Sequence, residues 1–383
     1  MAEDRAQRRD VPALDGFRAL AALSVVSFHL INTTAPVWFD EGPPELVRNA
    51  LHHLGVNAVT AFFVLSGFLV ARPFLDHVID DRPLRLARYI RARSLRILPA
   101  WWIVLLVVLV ISNRAVLGDP GQLALLATLQ HSYDPELLRN VIPPAWTLVI
   151  EVSFYIAMPL LLLAARRPLA RFGRTTRIVA VATALVASIV ATMWLHRSWF
   201  DPATMPHPDL RPFSFALPNW WDAFALGMLA AVAVGAGRGT VPLGRELRYA
   251  AIVPVLGAWD YFGDPGVDRN TLFAIACAMA VTGIAGAPAG AFTRLLATSW
   301  PRRIGWWSYG IYLWHLPIQY ALVQTGLLHH DDPASTWFWL PVQLTLATTA
   351  GWLSYRFVEA PLLLRIDRRD WWRPGPRPAA VRA

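Results

Sequence analysis

Apolar residues along this chain come in long runs broken by short, basic connections. Runs of about 20 such residues are long enough for a helix to cross a hydrocarbon layer. They fall near 12–32, 54–71, 97–112, 143–165, 177–195, 217–235, 247–262, 271–288, 304–326 and 335–361. The pattern predicts ten membrane helices, of which the third and seventh are the shortest. A further stretch, LALLATLQHS at 123–132, is too short to cross and predicts an interfacial or re-entrant helix. The longest connections, 33–53, 113–142 and 196–216, leave no room for a soluble domain. The expected fold class is all-α: a polytopic membrane helical bundle over 12–363, with a tail at 1–11. A Pro-rich, disordered tail is expected at 364–383, with Trp371 and Trp372 anchored at the membrane surface.

Composition agrees with this reading. Of 383 residues, 55% are hydrophobic and 16% charged, too apolar for a water-soluble enzyme of this size. Charge then sets orientation. The basic residues, apart from histidine, are all arginine, and 27 of the 35 lie in connections on the side that carries both termini. Six lie on the other side, so the positive-inside bias predicts both termini in the cytoplasm and a multi-pass protein of the cytoplasmic (inner) membrane. The net charge of +9 is explained by that topology and does not point to nucleic acid. Cys277 is the only cysteine, which removes a disulfide framework and a cysteine metal site; no metal and no bound cofactor are expected. Asp15, Arg18 and His29 interrupt the first apolar run, which reads as a retained helix rather than a cleaved signal peptide.

Ionisable residues at membrane depth are costly and usually face a cavity or a partner. In the first helix Arg18 and His29 are eleven residues apart, which is three turns plus about 20°, so they share one face about 16 Å apart along the axis. Arg18 then lies near the cytoplasmic boundary and His29 in the outer half. Snorkelling by Arg18 and a structural hydrogen bond from His29 are the plainer alternatives. Arg93 and Arg96, in RARSLRILPAWW, also share a face at the mouth of the third helix, where guanidinium forks suit phosphate. Glu151, in PPAWTLVIEVSFYIAMP, falls about 12 Å below the outer edge, close to the depth of His29. It needs a partner or a proton-transfer role. Trp146, Tyr155, Tyr312 and His315 are expected to pack or to line a pocket. Arg356 and Glu359 stand at helical pair spacing and predict an ion pair. Ser66-Gly67 reads as a close helix approach, because no GxSxG-like turn surrounds the serine.

Taken in order, these pieces resemble the acyltransferase 3 family of integral membrane O-acyltransferases. The resemblance rests on LDGFRALAALSVVSFH, FFVLSGFLV, RSLRILP, WTLVIEVSFY, IYLWHLP and FVEAP, and runs from residue 14 to 361. Thr147 stands where the family commonly has Ser, which keeps the hydroxyl. Larger members carry an appended hydrolase-like domain that this sequence does not show, so the membrane domain is expected to act alone or to hand its product on.

The resemblance implies transfer of an acyl group, acetyl or another short one, from cytoplasmic acyl-coenzyme A to a hydroxyl of a carbohydrate or sugar-bearing acceptor. Polysaccharide, glycolipid and secondary metabolite all remain open as acceptors. It also implies that Arg18 and His29 are essential and that Arg93 and Arg96 help bind the donor. A mechanism that fits these positions has coenzyme A phosphates on Arg93, Arg96 and Arg18. His29 then acts as general base with Glu151 orienting or stabilising its ring, an acyl-histidine intermediate being the less favoured variant. The competing class is a proton-coupled transporter or flippase with His29 and Glu151 as a relay.

Overall fold

The structure is a computed structural model that describes residues 11–36, 58–134, 136–137, 141–199, 215–237, 269–287 and 290–364, with residues 246 and 251. Residues 1–10, residues 365–383 and all but residue 251 of the seventh expected span lie outside it. Every regular element among the described residues is helical. In chain order the first helices include α1 (Pro12–Thr34), α2 (Ala58–Asp80), α3 (Leu86–Ser112), α5 (Trp146–Leu169), α6 (Arg174–Trp199) and α7 (Trp221–Ala236). The short α4 (Pro120–Ala127) lies between α3 and α5, and α8 (Arg269–Gly286), α9 (Ala291–Leu296), α10 (Ser299–Gln324) and α11 (Thr336–Ser354) follow α7.

Among the described residues six segments are long and apolar enough to cross a membrane: Pro12–Thr34, Ala58–Asp80, Leu86–Ser112, Pro143–Leu169, Arg174–Leu195 and Leu217–Ala236. A shorter apolar helix covers Thr271–Gly286. The expected ninth and tenth spans are helical as well. They are less apolar because α10 carries His315, Gln319 and several tryptophans and tyrosines, and α11 carries Gln343 and several threonines. Prolines 73, 99, 159, 317 and 341 lie inside helices without ending them, as neighbouring helices permit in a membrane.

Helix α1 lies against α10, which in turn packs on α11, while α2 packs along α7 and also contacts α5. The α2–α7 contact is set by two glycines. A Cβ on Gly67 would sit 2.1 Å from the Phe224 carbonyl oxygen, and one on Gly227 would sit 2.1 Å from that of Val64. The backbones therefore touch, as small residues allow where lipid offers no hydrophobic driving force. Around this contact Phe63, Phe224 and Phe154 stack at centroid separations of 4.7 and 4.1 Å.

The short apolar stretch after α3 forms α4, opened by an Asp119 cap on the amides of Gly121 and Gln122. Trp101 and Trp102 hold its far end by donating their indole N–H to the Leu126 and Ala127 carbonyls. His131 follows, 1% exposed and stacked on Trp101. A second anchor joins the end of α2 and the α2–α3 turn to α5 and α6. Asp81 pairs with Arg166 and Arg177, and Asp80 pairs with Arg174 at 2.7 Å.

Candidate functional site

A cavity of about 320 Å³ opens where α1, α2, α3, α5 and α10 meet. Its positive wall combines Arg18 from α1 with Arg93 and Arg96 from α3. The two α3 arginines face it together because they stand one turn apart. The Arg93 guanidinium lies over the Tyr155 ring, 5.6 Å from its centroid, a cation–π contact. Arg96 reaches Glu359 at 3.1 Å and donates to the Trp306 carbonyl. Arg18 has Asp15 at 3.5 Å on its own helix.

The opposite wall is a ladder on α5. Thr147, Glu151 and Tyr155 recur at i, i+4 and i+8, so they line one face over about 12 Å. The Glu151 carboxylate accepts from Ser66 Oγ at 2.8 Å and from the Tyr155 hydroxyl. At the far rung Thr147 Oγ1 lies 2.6 Å from the Tyr312 hydroxyl, which donates to the Pro144 carbonyl. Tyr89 donates to the Tyr155 carbonyl at 2.8 Å, fastening α3 to α5.

Behind Tyr312 lie two histidines whose rings are 5.0 Å apart, His29 on α1 and His315 on α10. His29 Nδ1 is 2.9 Å from the Val25 carbonyl oxygen and His315 Nδ1 is 2.6 Å from that of Tyr312. A carbonyl only accepts, so each Nδ1 carries a proton, and in the neutral form of the ring the lone pair is on Nε2. His29 is half-buried, whereas His315 is fully buried and its Nε2 has no hydrogen-bond partner among the described residues. Gln319 donates to the His29 carbonyl and to Thr33 Oγ1, and Gln343 donates to the His315 carbonyl. These bonds lock α1, α10 and α11 around the pair.

Of the residues singled out in the sequence, Arg18, Arg93, Arg96, Glu151, Tyr155 and Tyr312 converge on the cavity. Neither histidine lines it: His315 adjoins it through Tyr312, and His29 lies behind His315. Trp146 packs in an aromatic cluster with Phe63, Phe215 and Trp220. The partners of Glu151 are Ser66 and Tyr155, not His29, whose ring is held by its own helix.

The expected Arg356–Glu359 pair is corrected, because Glu359 is buried against Arg96 while Arg356 is exposed. The physical reason is a π-turn over Tyr355–Glu359. It inserts an extra residue into the helix and turns position 359 inward. Ser66 is a cavity residue that sequence reasoning treated as packing alone. Its neighbour Gly67 does pack, and a hydroxyl one residue from a close helix approach was the available signal. Among the described residues no group of three or more His, Cys, Asp or Glu could hold a metal ion.

Long apolar helices around an interior site of arginines, a carboxylate and two histidines define a membrane protein whose polar chemistry lies inside its bundle. The chain belongs to the acyltransferase 3 family: the family's acyltransferase domain model matches residues 11–356. It is 26% identical over 381 residues to the peptidoglycan O-acetyltransferase OatA of Listeria monocytogenes, covering 94% of this chain and 56% of that protein. It is 24% identical to the O-acetyltransferase OatA of Staphylococcus aureus (strain NCTC 8325 / PS 47), covering 92% of this chain and 57% of that protein. The chain thus spans little more than half the length of these curated relatives. No solved structure matches it.

Proposed function

We propose that this protein is a membrane O-acyltransferase that moves an acetyl or other short acyl group from cytoplasmic acyl-coenzyme A to a hydroxyl of a carbohydrate or sugar-bearing acceptor. The acceptor class follows that of the peptidoglycan O-acetyltransferase relative. The observation that carries the reading is the convergence of Arg18, Arg93 and Arg96 on one cavity from which Tyr312 leads to His315 and, through its ring, to His29. Three guanidinium groups supply planar, permanently charged donors for the phosphates of coenzyme A. The span of about 16 Å along α1 from Arg18 to His29 suits the pantetheine arm, which would bring the thioester to the histidine.

There the Nε2 lone pair of His29 takes the proton of the acceptor hydroxyl as its oxygen attacks the thioester carbonyl. The carbon–sulfur bond breaks, the ester forms, and the imidazolium returns the proton to the coenzyme A thiolate. Val25 orients the ring through Nδ1. Glu151, fixed by Ser66 and Tyr155, orders the polar wall midway along the path rather than touching the base. Burial keeps water from the thioester. In this reading the bundle has ten membrane helices, lies in the cytoplasmic membrane, and has both termini in the cytoplasm.

The test is release of free coenzyme A thiol by purified protein given acetyl-coenzyme A and peptidoglycan fragments. His29→Ala should lower that rate about 10²–10⁴-fold while leaving donor binding intact. Full activity in that variant, or saturable transport without thiol release in the wild type, overturns the proposal.

A further inference from the structure

A second concavity, of about 560 Å³, lies on the arginine-rich end between α10 and α11, outside the cavity wall. Trp300, Trp307 and Trp352 form its sides, and Arg303 and Arg356 stand at its rim. It shares only Trp306 and Tyr355 with the donor cavity, which therefore form the partition between the two. Trp300 is 64% exposed and Trp352 is 42% exposed, so large indole surfaces face outward. No carboxylate lines the groove among the described residues, since the nearby Glu359 is buried against Arg96. The Arg303 guanidinium lies over the Trp300 ring, 5.7 Å from its centroid. Both Arg303 and Arg356 are exposed.

We propose that this groove is a binding site for an anionic phospholipid of the leaflet on the arginine-rich side. Charge complementarity selects the occupant. Asp15 accepts from the Trp306 indole at 3.0 Å behind the partition but does not line the groove. The two rim arginines fit a headgroup phosphate, while the indole walls fit the interfacial glycerol and upper acyl chain. The C-terminal segment 365–383 is excluded on the same ground, because its six arginines outnumber its two aspartates. A zwitterionic lipid brings an ammonium that offsets its phosphate, so it adds no net negative charge beside the two cations. The bound headgroup backs the Trp306–Tyr355 partition from outside, next to the Trp306 carbonyl that Arg96 grips. The site is independent of the transfer reaction and does not require it.

The test uses the full chain in nanodiscs of mixed phosphatidylglycerol and phosphatidylcholine, with co-purified lipid counted by native mass spectrometry. The wild type should retain phosphatidylglycerol preferentially. The Arg303→Gln, Arg356→Gln double variant should lose roughly 30-fold in that preference, at about tenfold or less per arginine at a membrane surface. Arg85→Gln with Arg91→Gln removes the same charge from exposed positions on and beside α3 and should leave the preference unchanged. Arg303→Glu alone should shift retention toward phosphatidylcholine. No preference in the wild type, equal retention in the double variant or an equal loss in the control pair overturns the proposal. So does release of the lipid by added coenzyme A, which would assign the groove to the soluble donor, or a retained mass equal to a second chain.

Discussion

Two ionisable side chains outside the spans report on acid stability. Asp81 accepts a 2.6 Å hydrogen bond from Arg177 and also pairs with Arg166, which holds its carboxyl below its ordinary value of 3.8. A depressed carboxyl stabilises fully above the unfolded value and loses that contribution as pH falls through the folded one. His131, stacked on Trp101, is pushed by burial from 6.5 down to about 4. Its stabilisation, on the order of 3 kcal/mol, is present above pH 6.5 and lost as pH falls toward 4. Thermal unfolding across pH should separate the two. His131→Phe should flatten the decline between pH 6.5 and 4, whereas Asp81→Asn should lower the midpoint at pH 7 and flatten the curve below 4. Asn suits that test because Asp81 has φ 55°, a left-handed conformation asparagine also tolerates. An unchanged profile in either variant would refute its assignment.

At the scale of elements, the α2–α7 contact and the α3 arginines make opposite demands on a mutation. Gly67→Val drives side-chain atoms into the Phe224 backbone and should cost about 3 kcal/mol, the upper end of overpacking. Gly173→Ala adds its methyl where nothing lies within 4 Å and should change stability by less than about 0.5 kcal/mol. Melting of the detergent-purified variants compares the two directly. Arg93→Gln should weaken acetyl-coenzyme A binding with little loss of stability, because Arg93 is held by a ring face. Arg96→Gln should do both, since it strands the buried carboxylate of Glu359. Titration calorimetry alongside melting would show whether the two arginines divide in this way. Equal destabilisation by both would contradict it.

For the whole molecule, the arginine bias makes a topological prediction. Reporter fusions at the N- and C-termini should both be active in the cytoplasm. A cysteine introduced at Asn113, in a Cys277→Ser background, should react with an impermeant thiol reagent from the outer side only. Cys277 is buried, so it contributes little background. Labelling of position 113 from inside would reverse the orientation and move the arginine cavity away from cytoplasmic coenzyme A.

For the helices among the described residues, position was legible in the sequence, because a lipid environment forces every spanning segment to satisfy its own backbone and so writes the fold as runs of apolar residues. The shared face of Arg18 and His29 and the paired setting of Arg93 and Arg96 were legible for a related reason, since helical periodicity is local. The partners were not. Glu359 belongs to Arg96 rather than Arg356 because a π-turn, invisible in the residue pattern, rotates it inward. Glu151 belongs to Ser66 and Tyr155 although its expected depth matched that of His29, because depth sets one coordinate and packing sets the other two. The His29–His315 neighbourhood joins residues 286 positions apart. That meeting depends on how α1 and α10 pack, which only the tertiary structure decides.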